Sequence, residues 1–69
     1  MITKNVESSQ ISSIGYDEKS KVFEVVYKTG GKYEYYDVSA DLWIKAQEAQ
    51  SVGKFVHAYI KPHKYKKIS

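Results

Sequence analysis

A glycine pair between two β-type runs places the tightest constraint on how this chain can fold. Gly30-Gly31 separates the run Val-Phe-Glu-Val-Val-Tyr, which begins at Val22, from the run Tyr-Glu-Tyr-Tyr-Asp-Val, which ends at Val38. Runs rich in valine and aromatic residues are typical of strands, and a short glycine-containing connection between them is typical of a β-hairpin. The sequence therefore predicts an antiparallel hairpin over residues 21–38.

Side-chain alternation along the two predicted strands decides which residues share a face. The first strand sets Phe23, Val25 and Tyr27 on one side. The second strand sets Tyr33 and Tyr35 on one side. A pairing that brings these five side chains together would give the hairpin one strongly apolar face.

Two loop lengths are open for this hairpin. A two-residue loop at Gly30-Gly31 would place Tyr27 opposite Glu34, whereas a three-residue loop over 29–31 needs one glycine at the positive φ of a G1 bulge. The three-residue loop gathers the apolar side chains on one face and both glutamates on the other, so burial favours it. We therefore predict that loop, with the pairs Tyr27 to Tyr33 and Val25 to Tyr35.

The chain before the hairpin predicts one further strand. Residues 1–8 are mostly polar and are expected to form a frayed lead-in. Residues 9–17 read as a strand whose alternation breaks in the middle, and Gly15 there marks either a bulge or a close backbone approach. Residues 17–20 read as a turn, so the first three strands are expected to form an antiparallel meander.

The segment after the hairpin predicts one clear helix. Ser39 offers an N-cap, and Asp41 places negative charge in the first turn, where it suits the helix dipole. From Asp41 to about residue 50, apolar residues recur at i, i+1, i+4 and i+7, which indicates a single apolar helix face. That face consists of Leu42, Trp43, Ala46 and Ala49. Ile44 lies off it and is available for a second contact.

The C-terminal third is harder to assign. Residues 54–60 fit helical spacing, but their β-branched and aromatic content also suits a strand. We favour a second short helix that Ser51 caps and Pro62 ends, because proline disfavours the helical conformation of the residue before it. From about residue 61 the chain is expected to be a lysine-rich, solvated tail, with Tyr65 as an anchor.

These elements predict a single α+β domain over 1–69. It consists of a three-stranded antiparallel β-meander, with one firm helix and a second short helix packed on one face. The predicted core comprises Phe23, Val25, Tyr27, Tyr33, Tyr35, Val38, Leu42, Trp43, Ala46, Ala49 and Phe55. A chain of 69 residues has a thin core, and without cysteine it has neither disulfides nor thiolate-bound zinc to reinforce it.

Charge is distributed unevenly along the chain. Residues 1–53 hold six lysines and eight acidic residues, a balance of −2, whereas residues 54–69 hold five lysines and no acid, a balance of +5. All eleven basic residues are lysine. Because sharply specific, bidentate phosphate and base recognition relies on arginine, any anion binding is expected to be diffuse.

The sequence also bears on location. No run approaches the roughly 18 apolar residues of a membrane span, and the first residues lack the apolar core of a signal peptide. The absence of cysteine fits a reducing compartment. We therefore expect a cytoplasmic protein that does not contact membranes.

An ordered set of residues gives the chain a family resemblance. The set is Val6, Ser8, Ser9, Gly15-Tyr16-Asp17, Phe23, Val25, Tyr27, Gly30, Tyr33-Glu34-Tyr35, Val38, Ala49, Ser51, Gly53, Phe55, Ile60 and Tyr65. In these residues and spacings the chain resembles the KTSC domain, a short module found at the end of some lysyl-tRNA synthetases and as stand-alone small proteins. It departs from the family pattern at Ser39, His57 and Pro62. The synthetase context of the family implies RNA binding.

The tyrosines and lysines each allow two interpretations. Tyr33 and Tyr35 could stack nucleobases, but their parity with Phe23 and Val25 favours a place in the core. Tyr36 is expected to be more exposed, on a face where glutamates would repel phosphates. The basic C-terminal segment is either a solvated tail or a set of phosphate contacts with an interleaved aromatic ring. Its candidate nucleic-acid-binding residues are Lys54, Lys61, Lys64, Tyr65, Lys66 and Lys67.

No catalytic, metal or cofactor site is predicted. His57 and His63 lack the spacing of a helical zinc pair, and Ser51 with His57 lacks an orienting acid and an oxyanion hole. Gly30-Gly31 is not followed by the residues of a phosphate-binding loop. We therefore predict a non-enzymatic binding module that binds RNA or another nucleic acid weakly through the basic segment. One alternative is a protein-interaction or self-associating module. The other is a binder of a small anionic ligand such as a nucleotide, in a pocket between helix and sheet lined by tyrosine hydroxyls and lysines.

Overall fold

A computed structural model describes all of residues 1–69 as one five-stranded antiparallel sheet with helices on one face. The strands are β1 (Ile2–Asn5), β2 (Ile11–Asp17), β3 (Val22–Tyr27), β4 (Lys32–Tyr35) and β5 (Tyr65–Lys67), in that order across the sheet. The helices are α1 (Ala40–Glu48) and α2 (Val52–Phe55), and α2 continues into a π-helical segment, Val56–Ile60. None of these helices combines the length and the apolar character that a bilayer span needs.

The α+β class is confirmed, but the three-stranded meander is wrong, because the sheet gains a strand at each edge. The segment expected to fray forms β1 and pairs with β2, so that Ile2 lies opposite Tyr16. The segment expected to be a solvated tail forms β5, in which Tyr65 lies opposite Tyr35. Every residue of β1 and β5 is exposed, so neither strand carries the apolar alternation that reveals a strand in a sequence.

The hairpin loop has the predicted length but starts one residue earlier. It covers residues 28–30, and Gly30 takes the positive φ, 101°, that a G1 bulge requires. The amide of Tyr27 donates to the carbonyl of Gly31 at 2.8 Å, and the amide of Gly30 donates to the carbonyl of Tyr27 at 2.9 Å. These two hydrogen bonds close the loop.

The earlier loop shifts the register by two residues from the predicted one. Phe23 lies opposite Tyr35 and Val25 lies opposite Tyr33, so the predicted pairs are wrong. Because side chains alternate with a period of two, the shift leaves every residue on its predicted face. Tyr27 still contacts Tyr33 diagonally, with ring centroids 5.6 Å apart.

Gly15 marks a close backbone approach rather than a bulge. A Cβ atom at Gly15 would lie 3.2 Å from the carbonyl oxygen of Ile2 and 3.1 Å from the sulfur of Met1. The break in alternation comes instead from a register shift between Ile11 and Ser13. Glycine at position 15 therefore lets β1 lie against β2.

The two predicted helices are present. Ser39 occupies the N-cap position of α1, although its side chain makes no capping hydrogen bond. Ser51 caps α2 as predicted, since its hydroxyl accepts from the amide of Lys54 at 3.3 Å. The second helix extends to Ile60, and Pro62 lies in the turn that follows it. Ile44 is 51% exposed, off the apolar face of α1.

The core lies between the helices and one face of the sheet. Of the predicted core residues, Phe23, Val25, Tyr35, Val38, Trp43 and Ala46 are buried, and Tyr27, Tyr33, Leu42, Ala49 and Phe55 are half-buried. The prediction missed Ile11, Ile14, Tyr16, Val52, Val56 and Ile60, which are also buried. Trp43 is central to this core, because its ring stacks on Tyr16 and meets the edge of Phe23, with centroids 5.8 Å away in each case.

One buried hydrogen bond ties the start of α1 to the sheet. The hydroxyl of Tyr16 donates to the carbonyl oxygen of Val38 at 2.6 Å. The amide of Val38 donates in turn to the carbonyl of Lys21 at 3.0 Å. The segment that leads into α1 is therefore held to both ends of the β2–β3 turn.

Replacing Tyr16 with phenylalanine is expected to lower the free energy of unfolding by about 1–3 kcal/mol, because the buried carbonyl of Val38 loses its donor. Urea unfolding followed by circular dichroism measures the change. Tyr36→Phe is the matched control, since it removes a hydroxyl that bonds Glu34 at 3.3 Å in a half-buried position. An equal loss in both variants would contradict a special role for the Tyr16 bond.

Candidate functional site

An open concave surface of about 540 Å³ lies on the helix side of the sheet, where the helical cover ends. It is lined by four tyrosines and two lysines, with Thr29 and Gly31 of the hairpin completing the lining. The six are Tyr27, Tyr33, Tyr35, Tyr65, Lys61 and Lys67. We call this surface the tyrosine groove.

Strand alternation and pairing bring the tyrosines together. Tyr33 and Tyr35 share a face of β4, and the pairing of β5 with β4 places Tyr65 directly opposite Tyr35. The ring centroids of Tyr65 lie 5.7 Å from Tyr35 and 6.0 Å from Tyr33. Tyr27 adds a fourth ring at the end of β3, at 89° to the ring of Tyr33. These rings form one continuous aromatic cluster.

The cluster runs from the core to solvent. Tyr35 is only 3% exposed and forms the buried end, Tyr33 is half-buried, and Tyr65 is 61% exposed. Aromatic faces that are partly open to water can stack with other flat rings. The groove therefore offers ring surface that the core does not use.

The hydroxyl at the buried end of the cluster is neutral at physiological pH. Burial raises the pKa of Tyr35 well above its usual value, and the neighbouring hydroxyl of Tyr27 raises this pKa further. Tyr35 is therefore present as a neutral phenol and adds no negative charge to the groove.

Two lysines flank the aromatic cluster from different elements. Lys67 lies opposite Tyr33 in the pairing of β5 with β4. Lys61 follows the π-helical segment, and its amide donates to the carbonyl of Val56 at 2.9 Å. Isolated π-helical turns occur often at functional sites. Because no acidic residue lines the groove, it carries two uncompensated positive charges.

Of the six predicted nucleic-acid-binding residues, three line the tyrosine groove and three lie outside it. Lys61, Tyr65 and Lys67 meet in the groove. Lys66 points to the opposite face, where it lies opposite Glu34. The remaining two, Lys54 in α2 and Lys64 before β5, do not line the groove.

The outer face of the sheet is unsuited to phosphates. Glu24 and Glu34 lie opposite each other there, and Glu24 is bridged by Lys32 at 3.4 Å. Tyr36, expected to be exposed on this face, is half-buried and donates its hydroxyl to Glu34. On this face Lys32 and Lys66 lie beside the two glutamates, so it carries no surplus positive charge for phosphates.

The sequence favoured a core position for Tyr27, Tyr33 and Tyr35, and it did not identify which tyrosines and lysines line a common groove. The groove depends on β5, which was predicted to be a tail. The available signal was parity, since Tyr65 and Lys67 are two residues apart and must share a face in any strand. No group of three or more histidine, aspartate or glutamate side chains that could hold a metal ion occurs in the structure.

Comparison with known proteins identifies the family. The family model of the KTSC domain matches residues 7–65. The chain belongs to the KTSC domain family. This KTSC domain is similar to a crystal structure of a KTSC domain protein from Yersinia pestis, with a TM-score of 0.93 and 32% sequence identity over 99% of this chain and 97% of that chain.

Two further relatives match most of the chain. A protein of Tsukamurella paurometabola is 35% identical over 57 residues, which cover 83% of this chain and 85% of that protein. An uncharacterized protein of Stutzerimonas stutzeri is 31% identical over 61 residues, which cover 88% of this chain and 86% of that protein. The KTSC domain therefore makes up most of each relative.

The raised pKa of Tyr35 predicts a loss of stability at alkaline pH. A group whose pKa is raised by folding contributes its full stability below its unfolded pKa, near 10, and that contribution is lost as pH rises through the folded pKa. Unfolding free energies between about pH 9 and pH 11 should therefore fall less steeply in Tyr35→Phe than in the wild type. The same variant measured at neutral pH controls for lost packing. If the unfolding free energies of the two proteins fall in parallel as pH rises, Tyr35 does not cause the alkaline loss of stability.

Proposed function

We propose that this KTSC domain is a non-enzymatic binding module that holds short single-stranded nucleic acid in the tyrosine groove. The observation that supports the proposal is the meeting of partly open tyrosine rings with two lysines and no acid. Unpaired bases stack on aromatic side chains with little sequence preference, at about 1–3 kcal/mol per base. Lysine ammonium groups attract the phosphates that flank such a base.

The composition of the groove argues for weak binding. Tyr65 is the one strongly exposed ring of the cluster, so few bases can stack at once. Lysine is a point charge and cannot form the bidentate phosphate contacts of arginine, which the chain lacks. We therefore expect affinity that falls steeply with salt and little preference for base sequence.

Two double variants separate groove binding from general attraction to the basic segment. Lys61→Gln with Lys67→Gln removes both groove lysines, whereas Lys64→Gln with Lys66→Gln removes the same charge from the same segment outside the groove. Fluorescence anisotropy with a labelled single-stranded RNA at low salt measures both. We expect the groove pair to weaken binding by about tenfold or more, and the control pair by much less.

The outcomes that contradict the proposal are distinct. Absence of binding by the wild type to single-stranded RNA and DNA at low salt would rule out the function. Equal losses in the two double variants would rule out the groove as its site. Tyr65→Ala gives a further check, because loss of an exposed stacking ring is expected to weaken binding by about 1–3 kcal/mol while the fold is retained.

A second candidate function is self-association at the opposite edge of the sheet. β1 leaves one edge of its backbone unpaired, and exposed strand edges are ready sites for pairing with another chain. Three exposed apolar residues, Met1, Ile2 and Ile44, line one hollow beside this edge. A second copy of the chain, adding its own β1, would cover them.

Sedimentation velocity tests this candidate. A dimer is expected to form with rising concentration in the micromolar range, and Ile44→Glu is expected to weaken it because the charge would be buried in the contact. Lys45→Glu, one residue along the same helix and also exposed, is the control. A monomer throughout the micromolar range would remove self-association from consideration.

A further inference from the structure

The two groove lysines limit how much of a strand the site can hold. Lys67 extends from β5 two residues beyond Tyr65, on the same face of the strand. Lys61 is carried by the end of the π-helical segment, a different element that lines the same groove. The exposed ring of Tyr65 is therefore accompanied by one positive charge on its own strand and another from the helical side.

Beyond the groove this pattern of charge ends. Along β5, the next same-face residue after Lys67 is Ser69, and the one before Tyr65 is His63, whose ring contacts the carbonyl of Ile60 at 3.2 Å. β4 leads within two residues to Asp37, which is exposed and negatively charged. Along β4 and β5, a strand that continued past the groove would therefore meet neutral or acidic groups. On the hairpin side, the exposed Lys28 directly precedes the lining residue Thr29.

The groove is large enough for one small ligand. It is an open depression of about 540 Å³, and sites that hold one small molecule typically measure about 300–1,000 Å³. A channel that tracks a long single strand uses a continued positive surface and repeated stacking positions. The tyrosine groove has two charges and one strongly exposed ring.

We infer that the tyrosine groove is a site for one nucleotide unit, with its base on Tyr65 and its two flanking phosphates on Lys61 and Lys67. This inference rests on the proposed function and specifies its ligand. The recognised chemistry is a base between two phosphates, as in a nucleoside 3′,5′-bisphosphate or an internal nucleotide of a flexible strand. Longer strands add further copies of the same unit but no new contacts.

The number of lysine–phosphate contacts predicts how steeply binding weakens with salt. For single strands, the slope of log K against log salt concentration is about −0.7 for each phosphate neutralised. Two lysine–phosphate contacts therefore predict a slope of about −1.4, whereas contacts by all five C-terminal lysines would give about −3.5. Lys61→Gln and Lys67→Gln should each reduce the steepness by about 0.7, and Lys64→Gln should leave it unchanged.

A length series tests the inference directly. Adenosine 3′,5′-bisphosphate and adenylate strands of two, four and eight nucleotides are titrated by competition against a labelled strand, with adenosine and inorganic phosphate as probes of base and phosphate alone. We expect affinity per nucleotide unit to reach its plateau at the bisphosphate, and both partial probes to compete much more weakly.

Each result decides a different question. Affinity per unit that rises steadily to eight nucleotides, or a salt slope near −3.5, would overturn the one-nucleotide site and leave nucleic-acid binding in place. Full competition by inorganic phosphate would overturn the role of Tyr65. If no probe binds at low salt, both the inference and the proposed function fail.

Discussion

Burial of Trp43 against Tyr16 and Phe23 is the contact on which the rest of this small fold depends. It fixes α1 over the strands β2 and β3, and the bond from Tyr16 to the carbonyl of Val38 holds the entry to the helix in place. A chain of 69 residues buries only about 60% of its unfolded surface, so its helices cannot cover the whole sheet. One uncovered part lies over β4 and β5, and the groove forms there.

Tyrosine suits this boundary between core and solvent better than any other aromatic residue in the chain. Its ring supplies apolar area while its hydroxyl tolerates water, so one residue type can serve at every depth of the cluster. Tyr35 is buried as part of the core, whereas Tyr65 is mostly exposed only one strand away. The same aromatic cluster therefore contributes to stability at one end and offers a stacking surface at the other.

The period-two pattern of the hairpin correctly predicted which face each side chain takes, because that pattern does not depend on register. The register itself was missed by two residues, since a glycine at either position of Gly30-Gly31 can supply the positive φ of the loop. The edge strands could not be found in this way. All of their residues are exposed, and what holds β5 in place is backbone pairing with β4, which leaves no apolar signature in the sequence. The residues that line the groove could not be named from the sequence either, because Tyr65 and Lys67 join it only once β5 is paired.

The lysines of β5 also have a structural explanation that does not involve binding. Charged side chains on an edge strand, including those that point inward, discourage pairing with other sheets. Lys66 meets this need and also lies opposite Glu34, so its charge is balanced within the sheet. Lys67 points the other way, into a groove lined by tyrosines and a second lysine and by no acid. Edge protection can account for both lysines of β5 but not for Lys61, which reaches the same groove from the end of the π-helical segment. The proposed recognition of a base between phosphates accounts for Lys61 and Lys67 together.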